Sequence, residues 1–241
     1  MNTKAQAQRL PEYDEMIKAG MHFGRKKTVF HPNMKPFVYT SRENVYIIDL
    51  IKTADALTKA VEFLKESIKG GKTILFVGTT RQSFDLAQST AKKLNMPYVT
   101  HRWLGGTFTN FKVIMSRIKH LESLESEQAS GGFEKYTKKE KLLKEREIAG
   151  LKEKYEGLKG LTKLPDVIFV TSLKENALPI KEAITKNIKT VGIVNTDSDP
   201  KSLDYPIPAN DTSRKSVELI LEALEENLVS IEVEKAEVKK E

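Results

Sequence analysis

Three short runs constrain this chain more than anything else in it: "TILFVG" from Thr73, "DVIFVTS" from Asp166 and "KTVGIVNTD" from Lys189. Each is almost wholly apolar and rich in Val and Ile, the composition of a strand buried on both faces. Such a strand needs helices above and below it, and the sequence supplies them at three- and four-residue spacing. After the first run Phe84, Ala87, Ala91 and Leu94 share one helical face, with Thr80 placed to cap it. After the second come Pro179, Ile180, Ala183 and Ile184, with Ser172 and Glu175 spaced as a capping box. After the third, "YPIPAND" reads as a short strand and Asp211 as the cap of a helix lined by Val217, Ile220, Leu221, Leu224 and Leu228. Earlier in the chain, Leu57, Ala60, Val61, Leu64 and Ile68 form a helix ended by Gly70-Gly71, and "MPYVTHRW" reads as a further strand. Strands alternating with single helices predict an α/β fold with a parallel sheet of about five strands, helices on both faces and right-handed crossovers.

The rhythm stops between "MPYVTHRW" and "DVIFVTS". There Phe111, Ile114, Met115, Ile118 and Leu121 make one narrow stripe, and Ile148, Leu151, Tyr155 and Leu158 make another. "SEQASGGFEKY" lies between them, with Ser130-Gly131-Gly132 as the point of reversal. Stripes this narrow, on faces dense in Lys and Glu, predict an antiparallel helical hairpin that projects from the domain. An arm of about twenty residues would reach roughly 30 Å. Gly150, Gly157 and Gly160 are expected to weaken its returning helix. The organisation is then an N-terminal arm and first α/β part over 1–110, the inserted hairpin over 111–162, the second α/β part over 163–228 and a charged, disordered tail over 229–241. Within the first part, a short helix follows Pro11, "RKKTVFHPNMKPF" reads as an extended arm, and "FVYTSRENVYIIDL" as a short hairpin around Ser-Arg-Glu-Asn or a strand reaching Asp49.

Cysteine is absent, which excludes disulfides and thiolate metal sites and suits a reducing compartment. No apolar run is long enough to cross a bilayer, and the N-terminal "MNTKAQAQRLPEYDEM" has no apolar stretch of the secretory kind. The expectation is a cytoplasmic protein with no membrane contact. Net charge is +7, and its placement matters more than its size. Residues 1–42 carry eight bases and three acids, residues 86–121 carry six bases and no acid, and the last twenty residues carry seven acids and three lysines. Positive charge gathered in two segments suits a polyanion, although ordinary clustering of surface charge would look the same.

No catalytic machinery stands out. "KGGKT", ending at Thr73, resembles the tail of a phosphate-binding loop, but its glycines close a helix and its Lys-Thr opens a strand, the reverse of the required order. "VGTTRQS" joins a strand end to a helix start and could hold an anion, yet it lacks the repeated glycines of a dinucleotide site. His22, His31, His101 and His120 show no metal-ligand spacing, and "NTDSDP" is as well explained by an Asx turn as by a cation site. No cofactor and no metal are expected.

"HRWLGGTFTNF", from His101, lies at the root of the expected arm. Gly105 and Gly106 let the backbone turn sharply and approach another backbone. Arg102 can fork onto phosphate, while Thr107, Thr109 and Asn110 offer short groups suited to phosphate and ribose. Lys112 and Arg117 continue the positive charge up the arm. Trp103 and Phe108 can stack on an unpaired base or wedge between arm and sheet, and the residues alone leave both open.

Together with "AGMHFGRKKTVFHPNMKPFVYTSRENVYIIDLIKT", "LPDVIFVT", "IKTVGIVNTDSDP" and "YPIPANDTSRKSVELI", this segment closely resembles the family of bacterial small-subunit ribosomal proteins conventionally numbered two. The resemblance runs from Pro11 to about Leu228. It implies a flavodoxin-like or Rossmann-like sheet with a protruding helical hairpin, no catalysis, and contact with small-subunit ribosomal RNA at the junction of head and body. It also implies neighbouring small-subunit proteins, among them the large messenger-binding one. Carried onto these residues, it implies RNA contacts at Arg25, Lys26 and Lys27, at His31, Asn33 and Lys35, and at Arg102, Trp103, Gly105, Gly106, Thr107, Thr109, Asn110, Lys112 and Arg117. One departure stands out. Where the family often has acidic and histidine residues after the fourth strand, this chain reads "TSLKENALPI", whose Asn176 and Ala177 leave little to hold a metal. The competing expectation is a doubly wound enzyme binding an anionic small molecule between "VGTTRQS" and "VTSLKEN", which requires an open pocket at the carboxyl ends of the strands.

Overall fold

The computed structural model describes residues 9–238, with side chains through Val229. The chain opens with α1 (Tyr13–Lys18), closed at Gly20 with φ 71°. Three short strands come next: β1 (Phe23–Lys26), β2 (Val38–Arg42) and β3 (Val45–Ile48). Arg42 pairs with Val45 across a two-residue turn whose Glu43 and Asn44 have φ 49° and 62°, the turn whose twist suits a hairpin. The hairpin is as expected, but the "extended arm" is not. β1 pairs with β3 to complete an antiparallel sheet in the order β1-β3-β2, and Lys27–Val29 and Pro32–Phe37 wind into 3-10 turns. The sequence pattern missed β1 because "FGRK" has no apolar alternation.

The α/β rhythm then runs α2 (Leu50–Lys69), β4 (Ile74–Val77), α3 (Phe84–Lys93) and β5 (Tyr98–Val99). After the hairpin helices α4 (Phe111–Ala129) and α5 (Lys138–Tyr155) come β6 (Val167–Val170), α6 (Ala177–Thr185), β7 (Lys189–Val194), β8 (Tyr205–Pro208) and α7 (Arg214–Val238). The five strands of the main sheet are all parallel, ordered β5-β4-β6-β7-β8. Numbered among themselves this is 2-1-3-4-5, the flavodoxin-like order.

Alternate residues of each strand serve two separate cores. Ile74, Phe76, Val167, Phe169, Val191 and Ile193 face α2 and α7, joined by Ala91 of α3, by Leu94 just after it and by Met16 and Met21. Leu75, Val77, Ile168 and Val170 face the other way, toward Ile180 and Ala183 of α6, Met34, Trp103, Phe108 and the hairpin stripe of Ile114, Ile118, Leu121, Ile148 and Tyr155. This two-sided burial is why the three opening runs lack polar residues.

Two details depart from expectation. α7 continues to Val238, so the backbone after residue 229 prolongs the helix where a disordered tail was expected; residues 239–241 lie outside the described residues, as do 1–8. Gly157 does not weaken the returning helix. It lies just beyond α5, where a Cβ would collide with the Tyr98 backbone oxygen and ring, so its lack of a side chain seats the hairpin's end against β5.

Candidate nucleic-acid interface

In a sheet of this order, small ligands enter at the switch point between β4 and β6, beyond the carboxyl ends of the strands. Here the chain fills that crevice itself. Thr79 Oγ1 donates to Asn176 Oδ1 at 2.9 Å, and Thr171 Oγ1 donates to Ser83 Oγ at 2.9 Å. The Thr80 and Ser83 hydroxyls are 2.7 Å apart, and Gly78 spends its N–H on the Val99 carbonyl. Ser83, Thr171 and Asn176 are buried. The side chains of Thr79, Thr80, Ser83, Thr171 and Asn176 in "VGTTRQS" and "VTSLKEN" are therefore bonded to one another across the crevice. Among the described residues, no three acidic or histidine side chains converge as metal ligands.

Beyond β5 the chain turns through Arg102 to Asn110, and a carboxylate organises that turn. Glu182, on α6 and only 6 % exposed, accepts hydrogen bonds from the Trp103 indole (3.2 Å) and from the backbone N–H groups of Gly106 (2.8 Å), Phe108 (2.9 Å) and Thr109 (3.1 Å). The Thr109 hydroxyl adds a fifth contact at 3.3 Å. Burial by itself would raise this carboxyl's pKa, but the four N–H donors together outweigh it and hold the group below the usual carboxylate range. Gly106 adopts φ 93°, a left-handed conformation that lets its N–H point at Glu182. Trp103 is buried edge-on against Phe108, ring centroids 4.8 Å apart, and the Thr107 hydroxyl donates to the Leu104 carbonyl. Trp103 is thus the wedge between arm and sheet. Both it and Thr107 are buried in the free protein, and Gly106 and Thr109 donate to the turn's own acceptor.

The N-terminal sheet is fastened to the same end of the main sheet by a second buried acid. Asp211, which lies just beyond β8, accepts from Ser172 Oγ (2.6 Å), Asn195 Nδ2 (2.8 Å) and the Arg25 guanidinium (3.0 Å). Arg25 Nε lies 3.3 Å from Asp197, which also meets Lys174 at 2.9 Å, and the Arg25 N–H donates to Thr196 Oγ1 at 2.7 Å. The next segment is held by the His31 N–H on the Thr196 carbonyl (2.9 Å) and by Asn33 Nδ2 on Asp199 (2.9 Å). The His31 ring accepts from the Asn33 N–H and caps the 3-10 turn. Arg25, His31 and Asn33, expected from the sequence to contact RNA, each use at least one polar group to hold the N-terminal segment to the main sheet. Asp211 likewise secures Arg25 rather than capping α7.

Seven of the expected contact residues besides Gly105 remain turned to solvent or at the rim. Lys26, Lys27 and Lys35 lie on the N-terminal side, and Arg102, Asn110, Lys112 and Arg117 at the arm root, all exposed. None of their six cations forms a salt bridge among the described residues. Both groups rise from the carboxyl end of the sheet: one comes directly after β5, and the other is docked on Thr196 beyond β7. Those strands are separated by two others in the order β5-β4-β6-β7-β8, about 14 Å at ordinary strand spacing. Met34, Trp103 and Phe108 belong to one apolar cluster, so both segments rest on one face. Sequence reasoning missed Glu182 and Asp211, the two acids that set this geometry. The visible signal was a run of N–H donors with no acid nearby.

A family model for ribosomal protein S2 matches residues 16–230. The small ribosomal subunit protein uS2 of Karelsulcia muelleri is 37% identical over 217 residues, covering 90% of this chain and 98% of the relative. The uS2 protein of Mycoplasmopsis synoviae is 42% identical over 213 residues, 88% of this chain and 72% of the relative. That of Coprothermobacter proteolyticus is 41% identical over 206 residues, 86% of this chain and 77% of its own.

Proposed function

Because this chain belongs to the ribosomal protein S2 family, we propose that it is a structural component of the small ribosomal subunit, without catalytic activity, that binds small-subunit ribosomal RNA near the junction of head and body. The observation that carries the reading is one end of the sheet bearing six cations without a salt-bridge partner among the described residues, Lys26, Lys27, Lys35, Arg102, Lys112 and Arg117, beside a crevice bridged by the side chains of Thr79, Ser83, Thr171 and Asn176. Each cation that meets a phosphate releases counterions and contributes modestly, so affinity comes from their number and from a rigid seat. Glu182 and Asp211 provide that seat by fixing the turn and the N-terminal sheet from which the cations project. Phosphate contacts of this kind position a protein without reading sequence, which suits a scaffold on folded RNA. Neighbouring small-subunit proteins, including the large messenger-binding one, then meet the surfaces that RNA leaves uncovered.

Charge reversal tests this. Arg102→Glu and Lys26→Glu, made separately, should each lower incorporation into the small subunit while leaving the thermal unfolding transition in place. Binding of the free protein to ribosomal RNA should also weaken steeply with added salt. Unchanged incorporation by both variants, with a flat salt response, overturns the proposal.

A further inference from the structure

The face of the N-terminal sheet that points away from the main body has an unusual composition. Phe23 lies opposite Ile47, which lies opposite Thr40, and Lys26 lies opposite Val45, which lies opposite Arg42. Residues paired directly across an antiparallel sheet share a face, as do alternate residues along a strand. These six therefore form two rows on one surface. Phe23, Lys26, Thr40 and Arg42 are exposed, Ile47 and Val45 half-buried. The opposite face, with Arg25 and Tyr46, is turned inward: the Arg25 guanidinium meets Asp197 and Asp211, and Tyr46 packs on Phe30 with ring centroids 4.3 Å apart. Tyr39, next to Thr40 on the edge strand, is exposed as well. It sits where the register shifts between Val38 and Thr40, and at 77 % exposure it is the barest large hydrophobic residue in the described chain. Phe23 is 48 % exposed. No carboxylate belongs to the two rows. The nearest in sequence, Glu43 at the turn, touches Arg42 only at 3.7 Å with both side chains almost fully in solvent, a geometry that leaves the arginine free to exchange partners.

Two exposed rings on a solvent-facing antiparallel sheet, with cations in the neighbouring row, match what unpaired RNA requires. Bases stack on aromatic faces while the backbone follows positive charge, and the recognition tolerates any sequence. Duplex RNA keeps its bases inside the helix and gains nothing from the rings. We propose that the outer face of the β1-β3-β2 sheet is a binding platform for single-stranded RNA, with Phe23 and Tyr39 stacking bases and Lys26 and Arg42 taking the phosphates between them. The charge argues for this occupant over an apolar protein segment, which would leave Lys26 and Arg42 without partners. The platform extends the ribosomal reading, on which it rests, from a seat on folded RNA to a grip on an unpaired strand passing alongside.

The test uses the full-length protein and two fluorescent probes of equal charge, an oligouridylate and a self-complementary hairpin without unpaired ends. Phe23→Ala combined with Tyr39→Ala should weaken oligouridylate binding by about tenfold or more and leave hairpin binding within about twofold. Both substitutions are at exposed positions and should leave the unfolding transition in place. Tyr39→Ala alone, at the barer site, provides a variant whose fold is least at risk. Equal affinity of wild type and the double variant for oligouridylate overturns the platform, as does an equal loss on both probes. Photocrosslinks from Phe23 and Tyr39 positions to a protein rather than to RNA in the intact particle would also overturn it. The two readings fail separately. Arg102→Glu lies off this sheet and should impair incorporation while weakening both probes alike through charge, whereas the ring variants should weaken oligouridylate alone and leave incorporation in place.

Discussion

Strands β4 and β6 bury every one of their side chains, while α5, eighteen residues long, buries only Ile148 and Tyr155. The hairpin carries ion pairs instead. Glu125 meets Lys152 and Lys159, and Glu127 meets Lys135 and Lys144 as well as the Tyr136 hydroxyl. Lys144 also lies over the Tyr136 ring at 4.2 Å and the Phe133 ring at 5.2 Å. Apolar burial is large, non-directional and not screened by salt, whereas ion pairs at a surface contribute little each and are screened. The sheet should thus be the more rigid part, and the outer hairpin the part that opens first. The residues that join the two, around Glu182 and Gly157, should behave like the body.

The largest expected effect falls in the sheet. Phe169 is fully buried beside Phe76, ring centroids 5.5 Å apart. Phe169→Ala should cost about 3–5 kcal/mol in urea unfolding of the whole protein. A loss no greater than that of a surface substitution would show that the sheet does not dominate stability, and the contrast with the hairpin would collapse.

Glu182 comes next and tests the junction. Glu182→Ala leaves the N–H groups of Gly106 and Phe108 and the Trp103 indole without their acceptor, and unsatisfied buried donors cost about 1–3 kcal/mol. The change should also alter the pH response. Burial alone would raise this carboxyl's pKa, and the donors lower it below the ordinary value. A group depressed on folding contributes fully above its unfolded pKa and loses that contribution as pH falls through its folded one. Wild type should therefore lose stability across that acidic interval, and Glu182→Ala should lack that segment of the profile. Equal pH profiles would mean that the turn does not depend on this carboxylate.

The legibility of the sequence divides along the same line. Periodicity reports burial, so the strands at "TILFVG" and "DVIFVTS" and the helices between them were legible from local pattern. The hairpin was legible from the narrowness of its stripes and the glycines at its reversal. Charge reports only that a group needs a partner, not which one. Arg25 finds Asp211 at a separation of 186 residues, and Glu182 finds the Gly106 N–H at a separation of 76. No local window contains either pair, so Arg25 looked as free as Lys26 beside it. The acid-free stretch from Leu86 to Leu121 was a true signal with two meanings: Arg102, Lys112 and Arg117 face solvent, whereas the donors of Trp103, Gly106 and Phe108 face an acid supplied by α6.

The smallest effect belongs to the hairpin tip, where the contrast can be sharpened. Hydrogen bonds from Lys144, Tyr136 and Lys135, in that order of weight, hold the Glu127 carboxyl at about 2. Because this is a depression, the tip keeps these contacts from neutral pH down through the ordinary carboxylate range and loses them only as pH approaches about 2. The group is open to water, so salt should weaken the same contacts at neutral pH, where the screening length is about 8 Å at physiological ionic strength. Glu127→Gln keeps the shape, removes the charge, and should speed amide hydrogen exchange between Glu125 and Lys144 while leaving the global unfolding midpoint and exchange in β4 and β6 unchanged. Added salt should move wild type toward the variant in that segment alone. If Glu127→Gln instead lowered the global midpoint, tip and sheet would unfold as one unit, and the hairpin would be part of the body rather than an arm attached to it.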